Sequence, residues 1–155
     1  MRAVVDNQVI PAAAASMIDL LSAGEKSLNR LKDKIDSYKD RIALADVELL
    51  APVPRPRKYF GVSLNYSDHV EETGLDKPEY PTFFNKQSTC VIGTGQAIHR
   101  PRVSEKLDYE GELGIVIGKR CRHVARAQAK SVIAGFTVCN DVSVRDWQID
   151  RKSVV

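Results

Sequence analysis

Three prolines at alternating positions, Pro52, Pro54 and Pro56, interrupt the chain. Proline fixes φ and has no backbone N–H, so this stretch can neither continue a helix nor pair as a central strand. Closely spaced prolines favour an extended linker instead. The sequence therefore predicts a small N-terminal domain over residues 1–51 and a second domain over residues 52–155.

The residue pattern differs on the two sides of this linker. Before it, a short extended start leads at Pro11 into a helical run, and a second amphipathic helix places Leu28, Leu31, Ile35 and Tyr38 on one face. Beyond it, short apolar segments bounded by Gly, Pro and Asn are typical of strands, and two helical segments interrupt them. The predicted strands cover residues 59–64, 82–84, 90–92, 113–117 and 134–139, and the predicted helices cover residues 67–73 and 126–132. This pattern indicates an α+β fold.

Composition excludes several classes of function. The chain has 155 residues, of which 43% are hydrophobic and 28% charged, and its formal net charge is +3. A small, dispersed positive charge gives no basis for nucleic-acid binding, and no apolar run approaches the roughly 18 residues that a membrane span requires. Cys90, Cys121 and Cys139 stand singly, which predicts neither disulfides nor a zinc site and is typical of a reducing compartment. We predict a cytoplasmic protein without nucleic-acid or membrane partners.

Acidic residues alternate just before one predicted strand, at Asp108, Glu110 and Glu112. In an extended segment, residues two apart point to the same face, so these like charges would repel each other. A hard divalent cation such as Mg²⁺, Mn²⁺ or Ca²⁺ would remove that repulsion. A polar strand face in contact with solvent is the alternative. The spacing leaves both interpretations open, although Gly111 between the glutamates would let a ligand approach the backbone closely.

Two further clusters are candidates for chemistry. Asp141 follows the predicted strand over residues 134–139, and loops at strand ends often carry functional residues. An Asx-turn is an equally good explanation of that aspartate. His69 and Glu72 lie three residues apart on a predicted helix, where a carboxylate can orient an imidazole as a general base. The alternative there is an exposed helix with incidental charges.

Four ordered motifs together resemble the fumarylacetoacetate hydrolase family. They are Lys58–Tyr66 followed by Asp68 and His69, then Phe83–Lys86, Asp108–Leu113 and Asn140–Gln148. The resemblance implies that residues 52–155 are the first part of a catalytic domain built as a mixed β-roll. It implies metal ligation by Glu110, Glu112 and Asp141, and a catalytic pair formed by His69 and Glu72. It also implies that Lys86 and Arg145 bind substrate, and that Asp108 is not a ligand.

The resemblance also implies a reaction class. Family members use a divalent ion, Mg²⁺ or else Mn²⁺ or Ca²⁺, to cleave a carbon–carbon bond in a small keto acid or β-diketone, and we expect a homodimer. Decarboxylases, isomerases and hydratases of the same family are alternatives. Family members are longer, and the sequence stops at Val155 before their second half. A truncated, catalytically inactive chain that serves as a binding or oligomerising module is therefore a further alternative.

Overall fold

The computed structural model describes residues 2–5, 7–12, 14–74 and 76–149 and has an α+β architecture, as predicted. The chain forms two compact units, one containing Met1–Leu44 and Ala97–Val155 and the other containing Ala45–Gln96. Each unit is described by itself below. The predicted domain boundary between residues 51 and 52 stays a prediction.

The N-terminal part of the first unit is a small antiparallel sheet with two helices. Strands β1 (Arg2–Val5) and β2 (Gln8–Pro11) form a hairpin, β3 (Ile42–Ala43) pairs with β2, and helices α1 (Met17–Ser22) and α2 (Glu25–Lys34) lie between them in sequence. The helix predicted to start at Pro11 begins instead at Met17. The hydroxyl of Ser16 caps it by accepting a hydrogen bond from the Asp19 N–H at 3.1 Å. The buried apolar residues are Val9, Ile10, Ala12 and Leu20.

Two short antiparallel sheets make up the rest of the first unit. Strand β6 (Leu107–Asp108) pairs with β9 (Ser143–Val144), and β7 (Gly111–Ile117) pairs with β8 (Ile133–Asn140). The helix predicted over residues 126–132 is a 3₁₀ helix, Arg126–Val132, which leads into β8, and α4 (Arg145–Ile149) follows β9. The acidic segment is thus divided, because Asp108 belongs to one sheet and Glu112 to the other.

The second unit contains one hairpin and one short helix. Strand β4 (Phe60–Ser63) pairs with β5 (Thr82–Asn85), and α3 (Ser67–Thr73) lies between them in sequence, as predicted. Gly74 ends α3 in the left-handed conformation, at φ 65°. The strand predicted over residues 90–92 is wrong. A 3₁₀ turn, Ser88–Cys90, occupies its start, and the Cys90 thiol donates to the carbonyl of Gln87 at 2.8 Å.

Strands β7 and β8 expose apolar side chains on one of their faces. Side chains of alternate residues on both strands, namely Leu113, Ile115, Ile117, Phe136 and Val138, are exposed, and that of Val138 is 89% exposed. Apolar composition favours burial, but burial also requires a covering layer. In the described residues β7 and β8 form a two-stranded sheet.

Leu64 adopts a left-handed backbone conformation, at φ 50°, between β4 and α3. This region costs a residue with a Cβ about 1–2 kcal/mol and costs glycine almost nothing. We expect the Leu64→Gly protein to exceed the Leu64→Ala protein in free energy of unfolding by about 1 kcal/mol, the reverse of the usual order. Urea denaturation of both variants checks this, since both lose the leucine side chain. A Leu64→Ala protein that is equally stable would contradict it.

Candidate metal centre

The open end of the β7–β8 hairpin brings three predicted ligands to one face. Gly111 lies opposite Asn140 and Glu112 opposite Cys139. The pairing extends one residue further, because the Asp141 N–H donates to the Glu110 carbonyl at 2.8 Å. Glu110 therefore lies directly across from Asp141, and Glu112 follows two residues along the same face. Oxygen ligands of this kind suit a hard divalent ion.

Asn140 fixes the backbone at this end of the hairpin. Its side-chain Oδ1 accepts a hydrogen bond from the Glu110 N–H at 3.1 Å, where a regular ladder would use a backbone carbonyl. The amide side chain thus continues the pairing past the last residue of β8. The sequence places Asn140 in a family motif but predicts no hydrogen bond for it, and its position at a strand end was the available signal.

Arg145 carries the positive charge of this cluster. Its Nε donates to Asp108 Oδ2 at 2.8 Å, and its Nη1 forms a short hydrogen bond with Glu110 Oε1 and another, of 3.0 Å, with Gln148 Oε1. The pairing of β6 with β9 holds Asp108 close to the start of α4, and the Arg145 N–H donates to the Lys106 carbonyl at 2.9 Å. One guanidinium therefore joins a predicted metal ligand to an aspartate from another sheet.

The ionisation of this pair reflects the contacts. The hydrogen bond from Arg145, assisted by one from the Tyr109 N–H, holds the pKa of Asp108 below its ordinary value. Burial opposes the charged form of Arg145, but its hydrogen bonds with Asp108 and Glu110 outweigh that effect, and its pKa is raised. Both side chains are thus ionised at neutral pH.

The Asp108–Arg145 contact predicts a pH-dependent contribution to stability. Because the pKa of Asp108 is lowered in the folded chain, the contribution is complete above the ordinary aspartate value, about 3.9, and disappears as pH falls through the folded value. We expect wild type to be more stable than Asp108→Asn at pH ~6 and this difference to close below pH ~4. Chemical denaturation across that range measures it. Glu105→Gln, at an exposed site, is the control, and a difference that persisted undiminished in acid would contradict the prediction.

A second polar network anchors α4. The buried hydroxyl of Ser104 lies 2.8 Å from both carboxylate oxygens of Asp146 and accepts from the Lys106 N–H at 3.0 Å. Arg100 Nη1 donates to the Ser104 carbonyl at 2.6 Å. These bonds fix the residue that follows Arg145, and so help to orient the guanidinium. No pattern in the sequence indicates this role of Ser104.

The carboxylates of Glu110, Glu112 and Asp141 are donors that suit a divalent ion, and the strand register places them on one face. Their side-chain oxygens do not converge on a common point. Among the described residues, no three His, Cys, Asp or Glu side chains are gathered closely enough to hold an ion. The guanidinium of Arg145 engages Glu110, which accounts for its orientation. The prediction that Asp108 shares a strand face with the glutamates is corrected, because Asp108 lies in β6 and pairs with Arg145 instead.

The remaining predicted residues lie in the second unit. His69 and Glu72 are in α3, but their side chains lie outside the described part of the chain. Lys86 follows β5, where its N–H donates to the Tyr59 carbonyl at 2.8 Å and its ammonium lies 5.9 Å from the centre of the Phe84 ring. A shallow crevice of about 170 Å³ borders α3 and is lined by Leu64, Asn65, Ser67, Val70, Glu71 and Lys77.

Known proteins resemble this chain across most of its length. An oxaloacetate tautomerase from mitochondria of Rattus norvegicus is 38% identical over 147 residues, which cover 94% of this chain and 47% of that protein. A maleylpyruvate hydrolase from Sphingobium sp. SYK-6, solved with manganese(II) and pyruvate, aligns with a TM-score of 0.78 at 29% identity over 93% of this chain and 55% of its own. A 5-carboxymethyl-2-hydroxymuconate delta-isomerase from Mycobacterium smegmatis gives 0.62 at 43% identity over 75% and 45%.

These relatives are enzymes, and the chain spans about half the length of the curated relatives it matches. The profile of the fumarylacetoacetate (FAA) hydrolase C-terminal family matches residues 58–154, which is more than half of the chain. That match includes Glu110, Glu112, Asp141 and Arg145. The chain belongs to the fumarylacetoacetate hydrolase family.

Proposed function

We propose that this chain forms part of a divalent-metal-dependent enzyme that acts on a small 2-oxo acid through its enol or enolate. The observation that carries the proposal is the placement of Glu110, Glu112 and Asp141 on one face at the open end of the β7–β8 hairpin, beside Arg145. The relatives support it, since one acts on oxaloacetate and another was solved with manganese(II) and pyruvate, and both compounds are 2-oxo acids.

The residues of the chain would divide the chemistry among them. Glu110, Glu112 and Asp141 would hold the ion, for which Mg²⁺ and Mn²⁺ are the first candidates and Ca²⁺ the third. When bound, the ion supplies Lewis acidity that polarises the carbonyl oxygen of the substrate. Arg145 would bind the carboxylate of the substrate in bidentate fashion. Lys86 would add a second positive charge at the substrate.

Two reactions of an enolisable oxo acid follow from this arrangement. Proton transfer between its keto and enol forms requires one group that removes and returns a proton, a role we assign to His69 paired with Glu72. Hydrolytic carbon–carbon cleavage, the reaction first expected from the sequence, uses the same pair to deprotonate water. The tautomerase and isomerase relatives favour the first reaction, and the maleylpyruvate hydrolase favours the second.

One pair of assays separates these reactions. The purified chain, saturated with Mn²⁺, is mixed with oxaloacetate, and the decay of the enol absorbance in the ultraviolet is followed. In parallel, acylpyruvates are supplied and released pyruvate is measured. We expect acceleration of one reaction over a metal-only blank, and its loss in Glu110→Ala with Glu112→Ala. A Mn²⁺-loaded chain that accelerates neither reaction would show that this chain has no such catalysis by itself and would favour a non-catalytic binding module.

The wider architecture and state of assembly are part of the same proposal. We propose that residues 52–155 are the first part of a mixed β-roll, although all described strand pairs are antiparallel. We also propose a homodimer, for which size-exclusion chromatography with light scattering is the test. A mass that stayed at 17.2 kDa across the concentrations examined would contradict dimerisation.

The cellular compartment proposed for the protein is the cytoplasm. Cys90, Cys121 and Cys139 are all free thiols, which suits a reducing environment. In the described ranges, no helix is long and apolar enough to cross a bilayer. The mitochondrial relatives make the mitochondrion the alternative, which fractionation of cells that express the protein would distinguish.

A further inference from the structure

The guanidinium of Arg145 is bound to one of the three proposed metal ligands. It contacts Glu110, a proposed ligand, and Asp108, which comes from a different sheet. The two contacts use different nitrogens, Nη1 for Glu110 and Nε for Asp108. The Glu110 contact can therefore break while the Asp108 contact persists.

We propose that Arg145 is a built-in counter-ion that competes with the divalent ion for Glu110, and that Asp108 is the positioning residue that retains the guanidinium when Glu110 turns to the ion. The inference rests on the divalent site proposed above. It assigns a role to Asp108, which the sequence left without one.

Charge and geometry support this exchange. Four carboxylates, those of Asp108, Glu110, Glu112 and Asp141, lie at or next to the ends of β6, β7 and β8. Arg145 offsets part of their repulsion without an ion. A divalent ion bound by Glu110 would repel a guanidinium that stayed on the same carboxylate, and this repulsion weakens the Nη1 contact. After release, Nη1 would be available for an anionic substrate group, while Nε stays on Asp108.

Hydrogen bonds of both its backbone and its side chain hold Arg145 in position. Its backbone N–H donates to the Lys106 carbonyl at 2.9 Å, and Gln148 Oε1 accepts from Nη1 at 3.0 Å. These contacts do not involve Glu110 and are compatible with its departure. Asp108 is 43% exposed and Glu110 24%, so solvent can reach the pair and assist the exchange.

Isothermal titration with Mn²⁺ alone tests the exchange, because substitutions of Arg145 and of Asp108 should change the affinity for Mn²⁺ in opposite directions. Arg145→Gln removes the competitor and should tighten Mn²⁺ binding by about tenfold, the scale of one charge-assisted hydrogen bond. Asp108→Asn leaves the guanidinium with Glu110 as its carboxylate partner and should weaken Mn²⁺ binding several-fold. Arg145→Lys keeps the charge without the two-nitrogen bridge and should fall between wild type and Arg145→Gln.

Glu105→Gln is the matched control for Asp108→Asn, since it removes one exposed carboxylate nearby. Circular dichroism and thermal unfolding establish that each variant is folded. As a second readout, the Nε–H signal of Arg145 in a ¹⁵N spectrum should persist through a Mg²⁺ titration in wild type and broaden in Asp108→Asn.

The outcomes distinguish this inference from the proposed function. Opposite shifts for Arg145→Gln and Asp108→Asn, the latter exceeding Glu105→Gln, support the exchange. Weaker Mn²⁺ binding in both variants would mean that Asp108 and Arg145 only organise the site. Unchanged affinity in both would mean that the two residues have no role in binding. Either result overturns the inference while leaving the metal site intact. Absence of binding by both wild type and Arg145→Gln would overturn the site itself.

Discussion

Replacing Glu110 and Glu112 together by alanine is expected to weaken Mn²⁺ binding by at least about a hundredfold, since even partners outside the ligand set commonly cost 10–100-fold. The change removes two of the three carboxylates that the β7–β8 register places on one face and leaves Asp141. Hard divalent ions need several oxygen ligands, and a single aspartate does not hold one against water. Isothermal titration of the folded variant measures the loss.

A charge-matched control makes this result specific. Glu79→Ala with Glu105→Ala also removes two exposed carboxylates, but outside the proposed ligand set. Its affinity for Mn²⁺ should stay within about threefold of wild type, because exposed charges interact weakly through water and salt. Equal weakening in the two double variants would indicate diffuse attraction of the ion. Wild-type affinity in the Glu110 and Glu112 variant would mean that the ion is held elsewhere.

Gly93→Ala is expected to lower the free energy of unfolding by about 3 kcal/mol, near the upper end for overpacked sites. Gly93 is buried, and a Cβ there would lie 2.2 Å from the Leu49 carbonyl oxygen and 2.9 Å from the Leu50 Cα. Both atoms belong to the backbone, so the chain itself must shift. The Gly93 N–H also donates to Gln96 Oε1 at 2.6 Å, a bond that such a shift would strain. Urea denaturation measures the loss.

Gly135→Ala provides the matched comparison. Gly135 lies in β8, and a Cβ added there meets no atom within 4 Å. Alanine should therefore be neutral or stabilise the chain by up to about 1 kcal/mol, because it reduces the entropy of the unfolded state. If both substitutions cost the same free energy, backbone contact at Gly93 would not be the cause.

Short sequence patterns predicted those strands and that helix whose formation depends on residues close together in the chain. The strands at residues 59–64, 82–84 and 113–117 and the helix at residues 67–73 are present because apolar alternation and a terminating glycine act within a few residues. The N-terminal hairpin was predicted only as an extended start. Its turn residue Asn7, at φ 59°, was the missed signal, since asparagine tolerates the left-handed region.

The candidate site likewise has one part that local sequence patterns predict and one part that they do not. Alternation predicts that Glu110 and Glu112 share one face, and the pairing of β7 with β8, extended by the Asp141–Glu110 hydrogen bond, adds Asp141 to them. The contact between Arg145 and Asp108 joins residues 37 positions apart and depends on two strands of two residues each. Strands that short have no periodic pattern, so tertiary pairing alone reveals the contact. Family resemblance gave Arg145 a substrate role but gave no partner for it.

The β7–β8 pair has an acidic face and an apolar face. The site therefore depends on whether the number of residues inserted into a strand is odd or even. Glu110, Glu112 and Asp141 occupy one face only because Glu110 and Glu112 are two positions apart and Asp141 lies directly across from Glu110. An insertion of one residue between 111 and 117 would exchange the faces beyond it, whereas an insertion of two would restore them. The irregularity between Val116 and Ile117 absorbs one such offset beyond the acidic end. Within the strands, only insertions or deletions of an even number of residues are therefore compatible with the metal centre. In the connection after Ile117, both odd and even numbers are compatible with it.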